Sequence, residues 1–203
     1  MSKRFGVVAI VGILVTLAVP ATSGAGLLFT GAAETCDNDP TQAFSRWGDG
    51  AQYALVGGGA FESGDPGWTL SGGAKLVAGN EPYYLEARGD SRSLLIPAGA
   101  TAISPTSCFA FGDWHLRFVA RNAGSAKGSL KVDVVVRSLL GVLSILDGGT
   151  VTPSGTWAPS SRVSALLSNV GGLLPTRAVA VRLRATGTAY QVDDVYLDPW
   201  KSN

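Results

Sequence analysis

The 203-residue sequence contains few of the side chains that form zinc sites and nucleophilic active sites. It has one histidine, His115, and two cysteines, Cys36 and Cys108. The motifs Cys-x-x-Cys, His-Glu-x-x-His and Gly-x-Ser-x-Gly are absent. The glycines at 57–59 are not followed by a helical pattern that could hold a phosphate. No nucleophile–base pair stands in a recognisable motif, so we predict that the protein is not an enzyme and assign no catalytic residue.

Charge is also sparse, and its two signs are nearly balanced. The chain has 16 lysines and arginines and 15 aspartates and glutamates. No acidic residue precedes Glu34, so removal of residues 1–33 would take away Lys3 and Arg4 and leave 14 basic and 15 acidic residues. A nucleic-acid-binding protein needs a basic face, which this composition does not supply. We therefore expect no nucleic-acid partner.

The N-terminus has the pattern of an export signal. Two basic residues precede an uncharged, almost wholly apolar run of 15 residues, Phe5–Val19, which Pro20 ends. Small residues follow, with cleavage contexts after Ala25 and after Ala33. A bilayer-spanning helix needs about 20 apolar residues, more than this run provides. We predict a signal helix within residues 1–33, a secreted or cell-surface protein and no stable membrane insertion after cleavage. The alternative is a retained anchor.

The two cysteines both lie in the part of the chain that would be exported. Two thiols in an oxidising compartment most simply form one disulfide, which predicts the pair Cys36–Cys108. The bond would close a loop of roughly 70 residues and contribute about 4 kcal/mol in the chain-entropy model. It would join an N-terminal extension, residues 34–52, to the body of the protein. The alternative, a metal-binding or catalytic cysteine, lacks partner residues.

From Tyr53 onward the sequence consists of short alternating segments separated by Gly, Pro, Asn and Asp. In the clearest of them, 130–137, Leu130, Val132 and Val134 fall on one face. The predicted strands are 53–56, 60–62, 68–70, 74–77, 83–86, 93–96, 107–109, 114–121, 129–137, 142–146, 162–168, 178–186 and 189–197. Such alternation indicates antiparallel strands with one face buried and one facing water.

This spacing of strands and turns predicts an all-β fold. We expect a two-sheet antiparallel β-sandwich of jelly-roll type over residues 53–203, preceded by the extension and the signal helix. No internal repeat or long linker divides the chain. The apolar segment 138–149 is interpreted as a hairpin whose tip could contact a partner.

Two segments far apart in sequence combine strand patterns with acidic residues: GGGAFESGDPGW at 57–68 and YQVDDVYLDPW at 190–200. They would form the first and last strands, which lie side by side when a sandwich closes. Together they resemble β-sandwich carbohydrate-binding modules of secreted glycan hydrolases. The matching positions are Phe61, Glu62, Trp68, Asp193, Asp194 and Val195. The whole chain is also similar to uncharacterised small secreted actinobacterial proteins.

The resemblance implies a structural Ca²⁺ site. In the related modules the opening glutamate and a closing aspartate are ligands, which here are Glu62 and one of Asp193 and Asp194. Ca²⁺ takes 6–8 oxygen ligands, and carbonyls near Gly58 and Ala60 could supply others. Only one of two adjacent aspartates points inward from a regular strand, and Asp194 is favoured. The alternative is that Glu62 caps a turn and Asp194 bonds to backbone amides.

Exposed aromatic rings are the candidates for sugar binding, because sugars stack on them. The candidates are Tyr83, Tyr84, Trp114, Trp157 and Tyr190, and packing into the core is the alternative role for each. Tyr83 and Tyr84 would point to opposite faces of a strand, so one should be more exposed. With Asn80 and Glu81 beside them, this segment is the predicted ligand edge.

These observations favour a non-catalytic binding module for a cell-wall or extracellular polysaccharide. The first alternative is a structural, self-associating surface protein that uses the 138–149 hairpin. An enzyme without a recognisable motif is the last alternative.

Overall fold

The computed structural model of the chain describes residues 39–110, 113–137, 143–166 and 176–198. The predicted signal helix, Cys36 and the tip of the predicted hairpin at 138–142 lie outside these residues, and so does the predicted disulfide. Within the described ranges, no helix is long and apolar enough to cross a membrane.

The described residues form one short 3-10 helix and a series of β-strands. The helix is Ser45–Trp47, and the strands are β1 (Ala54–Leu55), β2 (Thr69–Ser71), β3 (Lys75–Ala78), β4 (Arg92–Ile96), β5 (Thr101–Ile103), β6 (Ser107–Ala110), β7 (Asp113–Asn122), β8 (Ser129–Arg137), β9 (Leu143–Val151), β10 (Ala158–Pro159), β11 (Val163–Leu166), β12 (Thr176–Thr186) and β13 (Tyr190–Leu197).

The strands form two antiparallel sheets. The front sheet has the order β10-β7-β13-β4-β3, with β1 also paired to β13 and β11 to β7. The back sheet has the order β2-β5-β12-β8-β9, with β6 also paired to β12. The chain changes sheet repeatedly, so neighbouring strands are mostly distant in sequence. The predicted all-β architecture with two antiparallel sheets is confirmed.

The core lies between the sheets and follows the alternation of the strands. Phe118 of β7, Leu94 of β4 and Tyr190 of β13 point inward from the front sheet, and Leu130 and Leu183 meet them from the back sheet. All five are fully buried. Apolar burial of this kind contributes about 25 cal/mol per Å² and is the main stabilising term of such a fold.

The two acidic segments lie side by side, as the sequence predicts, but 57–68 forms turns, and the strand of this region that pairs with the last strand is β1, just before 57–68. Ala54 and Leu197 are paired across β1 and β13. The Val56 N–H donates to the Val195 carbonyl at 2.9 Å, and the Val195 N–H donates to the Gly59 carbonyl at 3.1 Å. A Cβ at Gly59 would lie 2.8 Å from the Val195 carbonyl oxygen, so only glycine permits this approach.

Two predicted strands are wrong, and two observed strands lie outside the predicted set. Residues 60–62 and 83–86 form turns, because Phe61 and Tyr84 adopt left-handed backbone angles with φ of 58° and 53°. A left-handed residue interrupts an extended strand. The strands absent from the predicted set are β5 and β10, which are three and two residues long. Segments this short carry little alternation to detect.

Candidate functional site

The outer face of the front sheet is covered by the N-terminal segment of the described chain. In β7, Phe118 points into the sandwich, whereas Arg117, Val119 and Arg121 point outward. Phe44, Tyr53 and Tyr196 pack with Val119 into a second apolar cluster on this face. The expectation of one buried and one wet face therefore fails for this sheet, because residues 39–53 act as a third layer.

A buried carboxylate holds this layer in place. Asp49 accepts hydrogen bonds from Arg117 Nη1 at 2.6 Å and from the Tyr53 hydroxyl at 2.8 Å. Arg162 donates to it through Nε at 3.0 Å and also through Nη2. Arg117 in turn donates through Nε and Nη2 to the Ser160 carbonyl. Burial alone would raise the pKa of Asp49, but the hydrogen bonds from Arg162, Tyr53 and Arg117 outweigh it and hold the pKa well below its usual value.

Three half-buried aromatic rings and two arginines form a continuous surface on this face of the protein. We call this surface the aromatic ledge, and its residues are Arg46, Trp47, Tyr83, Arg121 and Trp157. Trp47 and Tyr83 meet edge to face with centroids 4.9 Å apart. The Arg46 guanidinium lies 5.1 Å from the centroid of each of these rings. The Tyr83 hydroxyl donates to the Trp157 carbonyl at 2.8 Å, and the Arg121 guanidinium lies 5.2 Å from the Trp157 ring. The ledge joins four separate parts of the chain.

A recess opens next to β10. Its volume is about 280 Å³, and its lining includes Ala158 and the inward-pointing Ala120, but no residue of the ledge. Hydroxyl groups line much of the rest, from Thr150, Thr152, Ser154, Ser160 and Ser161. Such groups can both donate and accept hydrogen bonds.

The predicted sugar-binding residues are distributed unevenly over the structure. Tyr83 and Trp157 meet on the ledge, and Tyr84, next to Tyr83, is 48% exposed. Tyr190 is fully buried in the core, and a ring with no exposed face cannot stack on a sugar, so its predicted binding role is wrong. Trp114 belongs to β7, on the far side of Arg117 from Arg121, and its side chain lies outside the described part of the structure.

Tyr83 and Tyr84 differ in exposure, but not for the predicted reason. They lie in a turn rather than in a strand. Glu81 organises that turn: it is fully buried and accepts hydrogen bonds from the N–H groups of Tyr83 and Leu85. Its own N–H donates to Asp193 Oδ2 at 3.1 Å, which connects the turn to β13. Glu81 thus positions Tyr83 on the ledge.

The two adjacent aspartates of β13 are both buried, contrary to the expectation that only one points inward. Between Asp193 and Tyr196 the pairing with β7 shifts by one residue, and Asp194 has a φ of 49°. Asp194 is therefore the extra residue of a β-bulge. The bulge breaks the alternation on which the expectation depended, since Asp193 is 0% and Asp194 1% exposed.

The two carboxyl groups have different surroundings. Asp193 accepts hydrogen bonds from the backbone N–H groups of Glu81 and Asp194. Both Asp194 oxygens are buried and receive no donated hydrogen bond from the described residues. Burial and then the negative charge of Glu81 raise the pKa of Asp194 well above its usual range. Burial and then the charge of Asp194 raise the pKa of Asp193 to about 9.

Glu62 occupies the turn-capping role that the sequence left as an alternative. Its Oε1 accepts hydrogen bonds from the N–H groups of Ser91 at 2.9 Å and Arg92 at 2.7 Å, and its Oε2 contacts the Ser91 hydroxyl at 3.2 Å. Burial and the negative charge of Glu62 raise the pKa of Asp90, and the charge of Asp90 adds to burial and Glu81 in raising the pKa of Asp194. Glu62, Asp90 and Asp194 therefore border the same acidic region. Within the described ranges, no three metal-ligating side chains converge on one position.

Sequence reasoning missed Arg46, Arg121 and Asp49, and it did not include Trp47 among the candidate sugar-binding residues. Nothing local marks these residues, because the ledge and the ion cluster exist only when residues 39–53 lie on the front sheet. The Arg46–Trp47 dipeptide was the one available signal.

No protein-family model and no curated protein matches the chain. Among solved structures, the CBM22-1–GH10 modules of endo-1,4-beta-D-xylanase 10B from Clostridium thermocellum, complexed with xylohexaose, have a TM-score of 0.51 and 15% identity. That match covers 69% of this chain and 27% of the xylanase chain. The CBM22-1 xylan-binding domain of Xyn10C from Paenibacillus barcinonensis has a TM-score of 0.48 and 18% identity, covering 71% of this chain and 93% of that domain. The match to the xylanase modules, with its TM-score of 0.51, shows that the chain has a β-sandwich fold like that of carbohydrate-binding modules.

Proposed function

We propose that the chain is an exported, non-catalytic module of jelly-roll type that binds a cell-wall or extracellular polysaccharide at the aromatic ledge. The observation that carries this proposal is the grouping of Trp47, Tyr83 and Trp157 on one half-buried surface. The fold shared with a xylanase bound to xylohexaose supports it.

The ledge has the two elements that sugar recognition requires. Aromatic rings offer flat apolar faces to the C–H groups of a pyranose, and nearby polar groups bond its hydroxyls. Trp47 and Tyr83 are fixed by their mutual contact and by Arg46, so little side-chain freedom remains to be lost on binding. A fixed platform on a sheet suits an extended chain of sugars.

The carboxyl groups that could suggest a glycosidase are unsuited to that role. Glu81, Asp193 and Asp194 are each 1% exposed or less, beneath the turn that carries Tyr83. A glycosidase needs two carboxyl groups flanking a bond in an open cleft. Burial prevents a polysaccharide from reaching these three, which supports a role in binding rather than catalysis.

We expect Trp157→Ala and Tyr84→Ala each to weaken polysaccharide binding about tenfold or more, because each removes a stacking surface. Isothermal titration of the purified protein with soluble xylan measures the effect. Ile145→Ala is the matched control, since Ile145 is 51% exposed but lies on the back sheet. Unfolding midpoints verify that the variants are folded. Unchanged affinity in both the Trp157 variant and the neighbouring Tyr84 variant would contradict binding at the ledge.

The exposure of Ile145 favours self-association as the second candidate function. Ile145 lies in β9, within the segment 138–149 that was predicted as an apolar hairpin. A protein that binds no polysaccharide and sediments as larger species at higher concentration would support this candidate over the first.

We further propose a structural Ca²⁺ in the acidic region around Asp194. A buried carboxylate without hydrogen-bond donors is costly unless it is protonated or faces a cation. Asp194 meets this description, and Glu81 is its nearest source of negative charge. Asp194 and Glu81 would supply carboxylate oxygens, Asp193 and Glu62 would border the site, and main-chain carbonyls would complete the oxygen ligands that Ca²⁺ prefers.

Saturating Ca²⁺ is expected to raise the thermal unfolding midpoint by about 5–10 °C over the value in a chelator. Asp194→Asn should abolish this response, because it removes the charged ligand. Asp147→Asn, which changes a carboxylate with 66% side-chain exposure on the back sheet, should retain it. An identical unfolding midpoint of the wild type with and without chelator would contradict the proposed Ca²⁺ site.

A further inference from the structure

We propose that the aromatic ledge selects an acidic polysaccharide, whose uronic-acid carboxylates bind the guanidinium groups of Arg46 and Arg121. This inference rests on the polysaccharide-binding function proposed above and adds the chemical class of the ligand. It follows from the arginines of the ledge rather than from its rings.

Both arginines are held by aromatic rings of the ledge. The Arg46 guanidinium lies 5.1 Å from the ring centroids of Trp47 and Tyr83, and the Arg121 guanidinium lies 5.2 Å from that of Trp157. A guanidinium held beside an aromatic ring keeps N–H groups that match the two oxygens of a carboxylate. The rings therefore orient two anion-binding groups on the surface where the sugar would stack.

Neither arginine uses its charge within the described part of the protein. Arg46 donates one hydrogen bond, to the Tyr83 carbonyl at 3.3 Å, and Arg121 donates one, to Gln191 Oε1 at 2.6 Å. Both acceptors are uncharged, and neither arginine is among the ion pairs of the described residues. A guanidinium has five N–H groups, so both retain free donors.

The ion cluster beneath the ledge adds positive charge. Arg117 and Arg162 share the single carboxylate of Asp49, so this cluster keeps one uncompensated positive charge. Two acids lie near Tyr83: Glu81 is fully buried beneath its turn, and the exposed Glu86 accepts a hydrogen bond from the Tyr196 hydroxyl at 3.1 Å and pairs with neither ledge arginine. The two arginines are therefore the charged groups of the ledge that an anionic ligand would meet directly.

Uronic acids fit this arrangement better than phosphate-bearing polymers do. Their carboxylate is attached directly to the pyranose ring, so a sugar stacked on an aromatic ring holds it close to that ring. An arginine beside that ring can reach the carboxylate. A phosphodiester lies between sugar units, away from the stacked face.

The test is isothermal titration of the purified full chain with three probes: polygalacturonate, neutral arabinoxylan and poly(glycerol phosphate). We expect polygalacturonate to bind about tenfold more tightly than arabinoxylan, because charge-assisted hydrogen bonds add to stacking. Arg46→Gln and Arg121→Gln should each weaken polygalacturonate binding about tenfold and weaken arabinoxylan binding by a clearly smaller factor. Added salt should weaken the binding of the acidic polysaccharide and leave that of the neutral one unchanged.

Arg184→Gln is the matched control, because Arg184 is exposed on β12 of the back sheet and should not affect either polysaccharide. Equal affinity for the two polysaccharides, or unchanged polygalacturonate binding in both ledge variants, would overturn the uronate assignment and leave the binding function intact. Tighter binding of poly(glycerol phosphate) would also overturn it. Failure to bind any polysaccharide would instead remove the proposed function itself.

Discussion

Replacement of Phe44 with alanine is expected to lower the free energy of unfolding by about 4 kcal/mol, the usual cost of truncating a buried phenylalanine. Phe44 is fully buried although it precedes the first strand. Its ring centroid lies 5.1 Å from that of Tyr53 and 5.7 Å from that of Tyr196, both edge-on, and 4.5 Å from the Arg117 guanidinium. The variant loses these contacts together with the buried apolar area.

Urea denaturation near neutral pH measures this effect. Tyr84→Ala is a suitable control, since it truncates an aromatic ring that is 48% exposed and should change the stability by less than about 1 kcal/mol. A Phe44→Ala variant as stable as the wild type would show that residues 39–53 rest on the sandwich without contributing to its fold.

The alternation of apolar residues was enough to predict most of the sandwich. In β8 and β12 the inward side chains, such as Val132 and Leu183, repeat at every second residue, and both strands were found within two residues of their observed bounds. The pattern fails where the backbone departs from an extended strand. Asp194 is the example: its bulge conformation is set by contacts with β7 and the turn at Glu81, which are distant in sequence.

The candidate site was less predictable because it is formed by tertiary packing. Tyr83 and Trp157 were recognised as aromatic candidates, but only the fold brings Tyr83 within hydrogen-bond distance of the Trp157 carbonyl. The role of the arginines depends on the position of residues 39–53, a polar segment without alternation. Its aromatic residues Phe44 and Trp47 indicate contact with the core, but its composition, typical of a surface loop, does not indicate which face of the sandwich it covers.

The N-terminal extension is therefore part of the proposed binding surface. It contributes Arg46 and Trp47 to the ledge and Phe44 to the cluster beneath it. Its attachment depends on Asp49, whose side chain is bonded to both Arg117 and Arg162. Stability of this attachment and integrity of the ledge should consequently change together.

Asp49→Asn is expected to lower the free energy of unfolding by about 3 kcal/mol near neutral pH, because it leaves the buried Arg117 guanidinium without its counter-charge. The amide also places N–H donors against the donors of Arg162. For a chain of this size the unfolding midpoint should fall by about 10 °C. The same variant should weaken polysaccharide binding, since the segment that carries Trp47 is then less firmly attached.

The pH dependence of this difference follows from the depressed pKa of Asp49. A carboxyl group whose pKa is lowered by folding stabilises the protein fully above its unfolded pKa of about 3.9. The contribution is lost as the pH falls through the lower, folded value. The stability gap between wild type and Asp49→Asn should thus be constant above about pH 5 and shrink progressively below about pH 4.

Urea unfolding at a series of pH values tests this expectation. Asp147→Asn is the control, because Asp147 pairs with Lys131 on the back sheet with 66% of its side chain exposed, and surface pairs contribute about 0–1 kcal/mol. A gap for Asp49→Asn as small as that for Asp147→Asn would mean that the ion cluster does not stabilise the extension. A large gap that stays constant into strong acid would mean that the contribution of Asp49 does not depend on its charge.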